Sequence, residues 1–254
     1  MDEFEGKVAI VTGGLSGIGL AAAELLSSRG ATVIPAGLPG PATAPGVVEL
    51  DVTDAAACAR LVDEVVRTYG KLDIVIAAAG IQRYGDVAET SAAEWNQVLD
   101  VNVTGAFNII KPALPQLRAQ GSGAIVLVSS VQAFVTQESV AAYTTSKGAL
   151  NALARSIAVD EAPHGIRANT VCPGSVDTPM LRASARTFSD GTPAGEQHLI
   201  DTWGRMHPLG RVAHPTEVAE AIAFLAGPRS SFITGTALPV DGGLLAKAAV
   251  LLPH

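Results

Sequence analysis

The sequence predicts an α/β fold, namely a doubly wound domain in which a mainly parallel sheet of about seven strands is flanked by helices. Two observations lead to this prediction. Short apolar runs alternate with helical patterns along the whole chain, and a glycine-rich turn joins the first run directly to the first helix. The length of 254 residues suits a single domain with a large buried core.

The composition narrows the classes of function. Apolar residues make up 48% of the chain, which is typical of a globular protein. Charged residues make up only 16%, so we expect much of the chain to be buried. The net charge of −7 argues against a nucleic-acid surface or an anionic membrane as partner. The acidic N-terminus leads directly into a strand, and no apolar run reaches the ~20 residues of a spanning helix, so we expect a cytoplasmic protein. Cys58 and Cys172 form no disulfide or metal-binding pattern, which predicts reduced thiols and no metal site.

Glycines join the first strand to the first helix. Lys7–Thr12 is a short apolar run, typical of a strand that is covered on both faces. Gly13, Gly17 and Gly19 follow, and the helix that they open ends near Arg29–Gly30. Glycines here let the backbone turn tightly, so that the amides at the helix start can face a pyrophosphate. The alternative is that they serve only a tight turn.

The next elements continue the alternation. The stretch 40–46 contains two prolines and two glycines, and it predicts a loop in place of a crossover helix between the second and third strands. Pro112 and Pro115 are expected to kink or end a long helix. The strands predicted in this half are Ala31–Ala36, Val47–Leu50 and Leu72–Ala77, and the helices are Asp54–Tyr69 and about Ala92–Arg118.

The second half contains one long segment without a regular pattern. Residues 175–210 mix Gly, Pro, Ser, Trp203 and three arginines, which predicts a mobile lid over the substrate. A disordered surface loop is the alternative. The strands predicted in this half are Ala124–Ser129, Arg167–Val171 and Ala237–Val240, and the helices are Ser146–Asp160 and Pro215–Ala226.

Ser130, Tyr143 and Lys147 are the candidates for chemistry. If Tyr143 lies at the start of a helix, Lys147 lies one turn later on the same face. A phenol has an ordinary pKa of about 10, and a nearby cation lowers it toward the range in which acid–base catalysis works. Ser130 follows a strand and could hold a substrate oxygen beside the phenol. The Tyr-x-x-x-Lys spacing alone is weak, because such pairs usually reflect a packed ring and a solvated ammonium.

Three further features concern a ligand at the sheet edge. Small residues from Ala77 to Gly80 leave room for a ligand at the end of a strand. Asp51 either accepts a hydrogen bond from an adenine amino group or caps the helix that begins at Asp54. Asn102 lies among apolar neighbours, so its side chain must be hydrogen-bonded.

Taken together, in the order in which they occur along the chain, these motifs resemble those of the classical short-chain dehydrogenases/reductases, and the resemblance covers nearly the whole chain. The resemblance implies a single Rossmann-type domain over residues 1–254. Its cofactor-binding part would cover about 1–130 and its catalytic part about 130–254, with a lid at about 175–210. The matching motifs are Thr12-Gly13-x-x-x-Gly17-x-Gly19, Asp51-Val52, Asn102, Ser130, Tyr143-x-x-x-Lys147, Pro173-Gly174, Thr178 and Val240-Asp241-Gly242-Gly243.

The resemblance implies an NAD(P)-dependent oxidoreductase that transfers a hydride between a nicotinamide cofactor and a secondary alcohol or ketone. Tyr143 would be the acid or base on the substrate oxygen, and Ser130 would steady that oxygen. Lys147 would bind the nicotinamide ribose and lower the pKa of the phenol, and Asn102 would hold a water that links Lys147 to solvent. The implied cofactor-binding residues are Gly13, Leu15, Ser16, Gly17, Ile18, Gly19, Gly37, Asp51, Val52, Ala78, Ala79, Gly80, Asn102, Tyr143, Lys147, Pro173, Gly174, Val176 and Thr178.

Two departures from the family pattern affect the cofactor site. The Asn-Asn-Ala-Gly of the family is Ala77-Ala78-Ala79-Gly80 here, so amides that brace the sheet are missing and the site is expected to be less rigid. The second strand ends at Gly37 without a charged residue. Since no Arg or Lys occupies position 16, 37 or 38 to pair with a 2′-phosphate, NAD is favoured over NADP.

The expected substrate contacts form a mixed polar and apolar set. By resemblance, the helices at about 92–118 and 146–160 would pack into a homotetramer or homodimer. Arg182, Arg186 and Arg205 could meet an anionic substrate, although solvated charges are the favoured explanation. The candidate lining residues are Gln82, Arg83, Ser130, Gln132, Phe134, Tyr143, Met180 and Trp203.

Two alternatives to such a dehydrogenase stay open. One is a catalytically silent binding or regulatory protein of the same fold, which the intact set of Asn102, Ser130, Tyr143 and Lys147 argues against. The other is an epimerase or dehydratase of the extended branch of the family. It is disfavoured because no added substrate domain follows the closing motif at 240–243.

Overall fold

The structure, a computed structural model, describes residues 3–38 and 47–248. Within these residues seven strands form one parallel sheet, which confirms the predicted fold class. The strands are β1 (Val8–Thr12), β2 (Thr32–Gly37), β3 (Val48–Glu49), β4 (Ile74–Ala77), β5 (Gly123–Val128), β6 (Ile166–Pro173) and β7 (Ala237–Val240). The helices are α1 (Gly17–Ser28), α2 (Ala55–Tyr69), α3 (Ala92–Leu99), α4 (Gly105–Gln120), α5 (Ala141–Glu161), α6 (Pro179–Phe188), α7 (Pro193–Met206) and α8 (Pro215–Ala226).

The sheet is buried on both faces because its central strands are apolar throughout. In β1, Val8 and Ile10 belong to one core, whereas Ala9 and Val11 belong to the other, as the two-residue period of a strand requires. The first core contains side chains of α2, α4 and α5, and the second contains side chains of α1 and α8. This double burial explains why the strands are continuous apolar runs in the sequence.

The strand order places a crevice at the centre of the sheet. The order is β3-β2-β1-β4-β5-β6-β7, so β1 lies between β2 on one side and β4 on the other. In open α/β sheets, ligands bind at this reversal, outside the carboxyl ends of the strands. Thr12 and Ala77 are paired at the ends of β1 and β4, so the glycine turn and the loop of small residues begin side by side.

The prediction of an irregular segment at 175–210 is wrong, because most of it folds into α6 and α7. Each helix begins with a threonine cap that is followed by a proline. Thr178 accepts a hydrogen bond from the amide of Leu181, and Thr192 accepts one from the amide of Gly195. Threonine before proline is a helix-start signal, but the many Gly, Ser and Pro residues of the segment obscured it.

The predicted long helix is interrupted, but its prolines do not end it. Pro112 and Pro115 both lie inside α4. Ile109 and Leu117 are each 0% exposed, and their burial stabilises α4. This stabilisation offsets the free energy lost because the prolines have no amide hydrogen to donate within the helix. The interruption is instead a π-helical turn, Asp100–Thr104, between α3 and α4. Such turns are frequent at functional sites.

Three other expectations concern segments away from the crevice. The loop predicted over 40–46 lies outside the described residues, so it stays a prediction. Cys58 and Cys172 are free and buried, and their reduced state stays a prediction. Among residues 3–38 and 47–248, no helix combines the length and the apolar character needed to cross a bilayer.

Candidate active site

A cavity of about 990 Å³ opens at the carboxyl ends of β1, β4, β5 and β6, and α6 and α7 contribute to its wall. The structure therefore brings together most of the residues that the sequence analysis singled out from distant parts of the chain. Those that line the cavity are Gly13, Ser16, Gly17, Ile18, Gly19, Ala78, Ala79, Gly80, Gln82, Ser130, Gln132, Tyr143, Lys147, Pro173, Gly174, Val176, Thr178, Met180 and Trp203.

Several other candidate residues lie outside this lining, namely Leu15, Gly37, Asp51, Val52, Arg83, Asn102 and Phe134. Leu15 packs beside the end of β2, since a Cβ added at Gly37 would lie 3.4 Å from its Cγ. Val52 packs under α4, since a Cβ at Gly105 would lie 2.5 Å from its Cγ2. Leu15 and Val52 therefore pack against elements beside the cavity and do not line it.

Asp51 does not cap the helix that follows it. Its carboxylate accepts hydrogen bonds from the amide and the hydroxyl of Thr53, at 2.9 and 2.8 Å. Asp54 is the cap of α2, because its carboxylate accepts a hydrogen bond from the amide of Ala57 at 2.9 Å. Of the two roles that the sequence left open for Asp51, capping is therefore wrong.

The glycine turn after β1 allows backbone contacts that a side chain would prevent. Gly13 has a φ of +66°, and a Cβ there would lie 2.7 Å from the amide nitrogen of Ala79. A Cβ at Gly19 would lie 2.2 Å from the carbonyl oxygen of Gly13. The turn is thus held between α1 and the loop after β4, and its backbone braces that loop.

The first turn of α1 offers free amides to the cavity. Ser16 precedes the helix in an extended conformation, and within the described residues its side chain makes no capping hydrogen bond. Uncapped amides and the helix dipole favour an anion at this position. The start of α1 therefore suits a phosphate group.

Asn102 lies in the π-helical turn and is 1% exposed. Its Oδ1 accepts a hydrogen bond from the amide of Ile81 at 2.8 Å, and its Nδ2 donates to the carbonyl of Ile81 and to Ser146 Oγ, both at 3.0 Å. The expectation that this amide is fully hydrogen-bonded is confirmed. Asn102 ties the loop after β4 to α5, and so supplies bracing that the alanines of that loop cannot give.

Tyr143 and Lys147 lie one turn apart on α5, on the face that meets β5. Lys147 Nζ donates a hydrogen bond to the carbonyl of Val128 at 2.9 Å, and Ser129 Oγ donates to the carbonyl of Lys147 at 2.9 Å. Lys147 Nζ lies 5.2 Å from the centroid of the Tyr143 ring. This confirms that the phenol and the ammonium share one face of the helix, as the spacing predicts.

Ser130 is held by the short turn that follows β5. Its Oγ accepts a hydrogen bond from the amide of Gln132 at 3.1 Å. The side chain of Gln132 is itself fixed, since it accepts from Thr144 Oγ1 at 3.1 Å and donates to Gln137 Oε1 at 3.2 Å. The Ser130 hydroxyl keeps a proton to donate inside the cavity, where it lies within hydrogen-bonding reach of Tyr143.

Burial changes the pKa of both central groups. It raises the pKa of Tyr143 to about 12, with hydrogen bonding to Ser130 opposing the rise and Tyr84 adding to it. It lowers the pKa of Lys147 to about 8. The expected lowering of the phenol pKa by Lys147 is therefore not found in this arrangement. Loss of hydration is the largest cause of the rise in the pKa of Tyr143.

The lid arginines do not face this cavity. Arg182 and Arg205 line a separate cavity of about 340 Å³. Arg182 forms an ion pair with Asp177 at 2.7 Å, and Arg186 forms one with Glu196 at 3.6 Å. The Arg182 and Arg186 side chains are exposed and ion-paired, as the favoured explanation of solvated charges expects.

Tyr84 and His207 are among the cavity residues that the sequence analysis missed. The hydroxyl of Tyr84 lies 2.6 Å from Ser184 Oγ, although 100 residues separate the two in sequence. His207 Nδ1 lies 3.0 Å from the carbonyl of Trp203, and its Nε2 accepts from the amide of Ser175 at 3.1 Å. His207 thus ties the end of α7 to the turn after β6. Neither residue belongs to a local motif, so only the fold reveals it.

Known proteins were compared with this chain in sequence and in structure. The family model described as enoyl-(acyl carrier protein) reductase matches residues 13–245. The cis-4-hydroxycyclohexanecarboxylate dehydrogenase of Sinomonas cyclohexanicum is 40% identical, over 96% of this chain and 99% of its own. The meso-2,3-butanediol dehydrogenase of Serratia marcescens is 36% identical, over 96% of each chain. The ligand-free aldohexose dehydrogenase of Thermoplasma acidophilum superposes with a TM-score of 0.96 at 39% identity, over 100% of this chain and 99% of that chain.

A parallel sheet with a glycine turn at its reversal, and a buried tyrosine–lysine pair in the same cavity, define a dehydrogenase-like α/β protein. The chain belongs to the short-chain dehydrogenase/reductase family. It is an enzyme of the class that acts on CH–OH groups, and the resemblance drawn from its sequence is confirmed.

Proposed function

We propose that this chain transfers a hydride between a nicotinamide cofactor and a secondary alcohol or its ketone, with Tyr143 moving the proton. The observation that carries the proposal is the buried Tyr143–Lys147 pair beside Ser130, in the same cavity as the glycine turn. The intact set of residues favours turnover over a silent binding protein. The names of the similar dehydrogenases support the same reaction type.

The residues of the cavity fit a dinucleotide cofactor. The close contacts at Gly13 and Gly19 bring backbone to the cavity wall, and the uncapped amides of α1 suit a pyrophosphate. We assign the glycine turn to the pyrophosphate, and Lys147 with the turn from Pro173 to Thr178 to the nicotinamide side. When bound, the cofactor supplies the hydride acceptor or donor.

The side chains of the protein supply the proton and hold the substrate oxygen. In the reducing direction the phenol of Tyr143, which keeps its proton at neutral pH, donates it to the substrate oxygen. Ser130 donates a hydrogen bond to the same oxygen, because its own oxygen already accepts from Gln132. In the oxidising direction Tyr143 acts as a phenolate, and below the Lys147 pKa of about 8 the ammonium of Lys147 stabilises that charge.

Cofactor turnover tests the proposed reaction. Initial rates with NAD and with NADP are measured by the absorbance of the reduced nicotinamide, across secondary alcohols, sugars, steroids and cyclic diols. We expect turnover with at least one of these substrate groups. Tight cofactor binding without turnover on any of them would favour the silent binding protein instead.

We further propose that NAD is preferred, because the end of β2 lacks a positive charge. Leu38 follows Gly37 and is 65% exposed, so a side chain at this position can reach solvent beside the strand end. We expect Leu38→Arg to raise kcat/KM for NADP by about tenfold or more, because a guanidinium pairs with a 2′-phosphate. Leu38→Gln is the neutral control and should leave the preference near that of the original chain. A preference for NADP in the unmodified protein would overturn the assignment.

A further inference from the structure

Tyr84 makes a hydrogen bond whose direction is fixed by its partner. Its hydroxyl lies 2.6 Å from Ser184 Oγ, and Ser184 Oγ lies 3.1 Å from the carbonyl oxygen of Met180. A backbone carbonyl can only accept, so Ser184 donates its single proton to Met180. Ser184 Oγ must then accept the proton of Tyr84. The phenol oxygen of Tyr84 is left able to accept a further hydrogen bond but not to donate one.

This acceptor is held in place inside the cavity that contains Tyr143. Tyr84 lines that cavity, and it lies close enough to Tyr143 to raise the pKa of the catalytic phenol. Its ring packs edge to face on Phe188, with 4.6 Å between the ring centroids. Its partner Ser184 is 7% exposed and Tyr84 is half-buried, so water has little access to the Ser184 side of the hydrogen bond. The acceptor is therefore a fixed feature of the wall.

The neighbouring wall is mainly apolar. The side chains that α6 and α7 add to the cavity, apart from Ser184, are Pro179, Met180, Leu181, Phe188, Leu199, Trp203 and Met206. Such a wall suits a carbon skeleton and offers few partners to a second polar group. On the side formed by α6 and α7, the Tyr84 oxygen is therefore a fixed acceptor that faces mainly apolar side chains.

We infer that the substrate carries a second hydroxyl, besides the oxygen that Tyr143 serves, and that this hydroxyl donates a hydrogen bond to Tyr84. The substrate class is then a diol or polyol. A carboxylate or an ether oxygen at this place is disfavoured because it would face an acceptor. The inference rests on the proposed function and makes Tyr84 a specificity-determining residue. The names of the butanediol and aldohexose dehydrogenases denote substrates with more than one hydroxyl.

The test compares substrates that differ only in the second group. The probes are cyclohexanol, the cyclohexane-1,2-, 1,3- and 1,4-diols, the monomethyl ether of each diol, and 4-hydroxycyclohexanecarboxylate. The quantity measured is the ratio of kcat/KM for a diol to that for its methyl ether. In the unmodified protein we expect the best diol to exceed its ether by about tenfold. We expect the carboxylate to be the poorest substrate of the series.

Two variants should lower that ratio by opposite changes. Tyr84→Phe keeps the ring against Phe188 but removes the acceptor, so the rate with the diol falls toward that with the ether. Ser184→Ala releases the proton of Tyr84, so the phenol can donate and the rate with the ether rises. A diol-to-ether ratio that is the same in all three proteins would overturn the inference and leave the proposed reaction intact. Absence of turnover on every probe, cyclohexanol included, would count against the proposed reaction itself.

Discussion

Tyr143→Phe should lower kcat by about 10²–10⁴-fold and leave cofactor affinity within a few-fold of its original value. The substitution removes one oxygen and keeps the ring, which lies buried on α5 beside Lys147. The backbone and the glycine turn that we assign to the cofactor are unchanged. Turnover is measured by reduced-nicotinamide absorbance, and cofactor affinity by calorimetry.

Tyr69→Phe is the matched control for this variant. Tyr69 lies at the end of α2 and is 46% exposed, so the loss of its hydroxyl should change neither turnover nor affinity. Retained turnover in Tyr143→Phe would remove Tyr143 from the mechanism. Circular dichroism of both variants shows whether each one is folded. A loss of turnover in folded Tyr143→Phe, but not in Tyr69→Phe, then belongs to the missing hydroxyl of Tyr143.

Lys147→Met should lower turnover by about 10²-fold or more, because the phenolate loses the charge that stabilises it. The same variant should change how stability depends on pH. The pKa of Lys147 is about 8 in the folded chain, whereas its ordinary value is 10.5. Between these values the unfolded chain holds a proton that the folded chain has released, so the free energy of unfolding rises with pH through this window. The contribution is on the order of 3 kcal/mol.

Urea unfolding of the cofactor-free protein between pH 7 and 10 measures this contribution. The difference in unfolding free energy between the unmodified protein and Lys147→Met should change with pH, in favour of the unmodified protein as pH rises. Lys111→Met on the exposed side of α4 is the control and should show no such trend. Parallel curves for Lys147→Met and the unmodified protein would show that Lys147 is not buried as an ammonium.

Elements with a strong local signal were predictable from the sequence. Pro215–Ala226 and Ala237–Val240 have the predicted bounds, because a proline start and an apolar run between turn residues are local features. The catalytic spacing of Tyr143 and Lys147 was predictable for the same reason. The π-helical turn at Asp100–Thr104 was not, since it depends on how Asn102 reaches Ile81 and Ser146 across the fold.

Properties that depend on distant contacts had to come from the structure. Spacing alone predicted that Lys147 lowers the pKa of Tyr143, but burial of the phenol raises that pKa instead. The pairing of Tyr84 with Ser184 joins a loop to α6, 100 residues away in sequence, so no local motif predicts it. The sequence therefore predicted the family and the central site, whereas the substrate wall required the fold.

The pH dependence of the two reaction directions tests the role of Tyr143 most directly. Alcohol oxidation needs the phenolate, whose fraction rises about tenfold per pH unit below its pKa, and ketone reduction needs the phenol. Because burial raises the pKa of Tyr143 to about 12, we expect kcat/KM for oxidation to rise with pH from neutrality without a plateau in the alkaline range, while that for reduction stays level over the same range. In Tyr143→Phe the rise should be absent. An oxidation rate that does not depend on pH, or that rises equally in the variant, would contradict the assignment of Tyr143 as the acid and base.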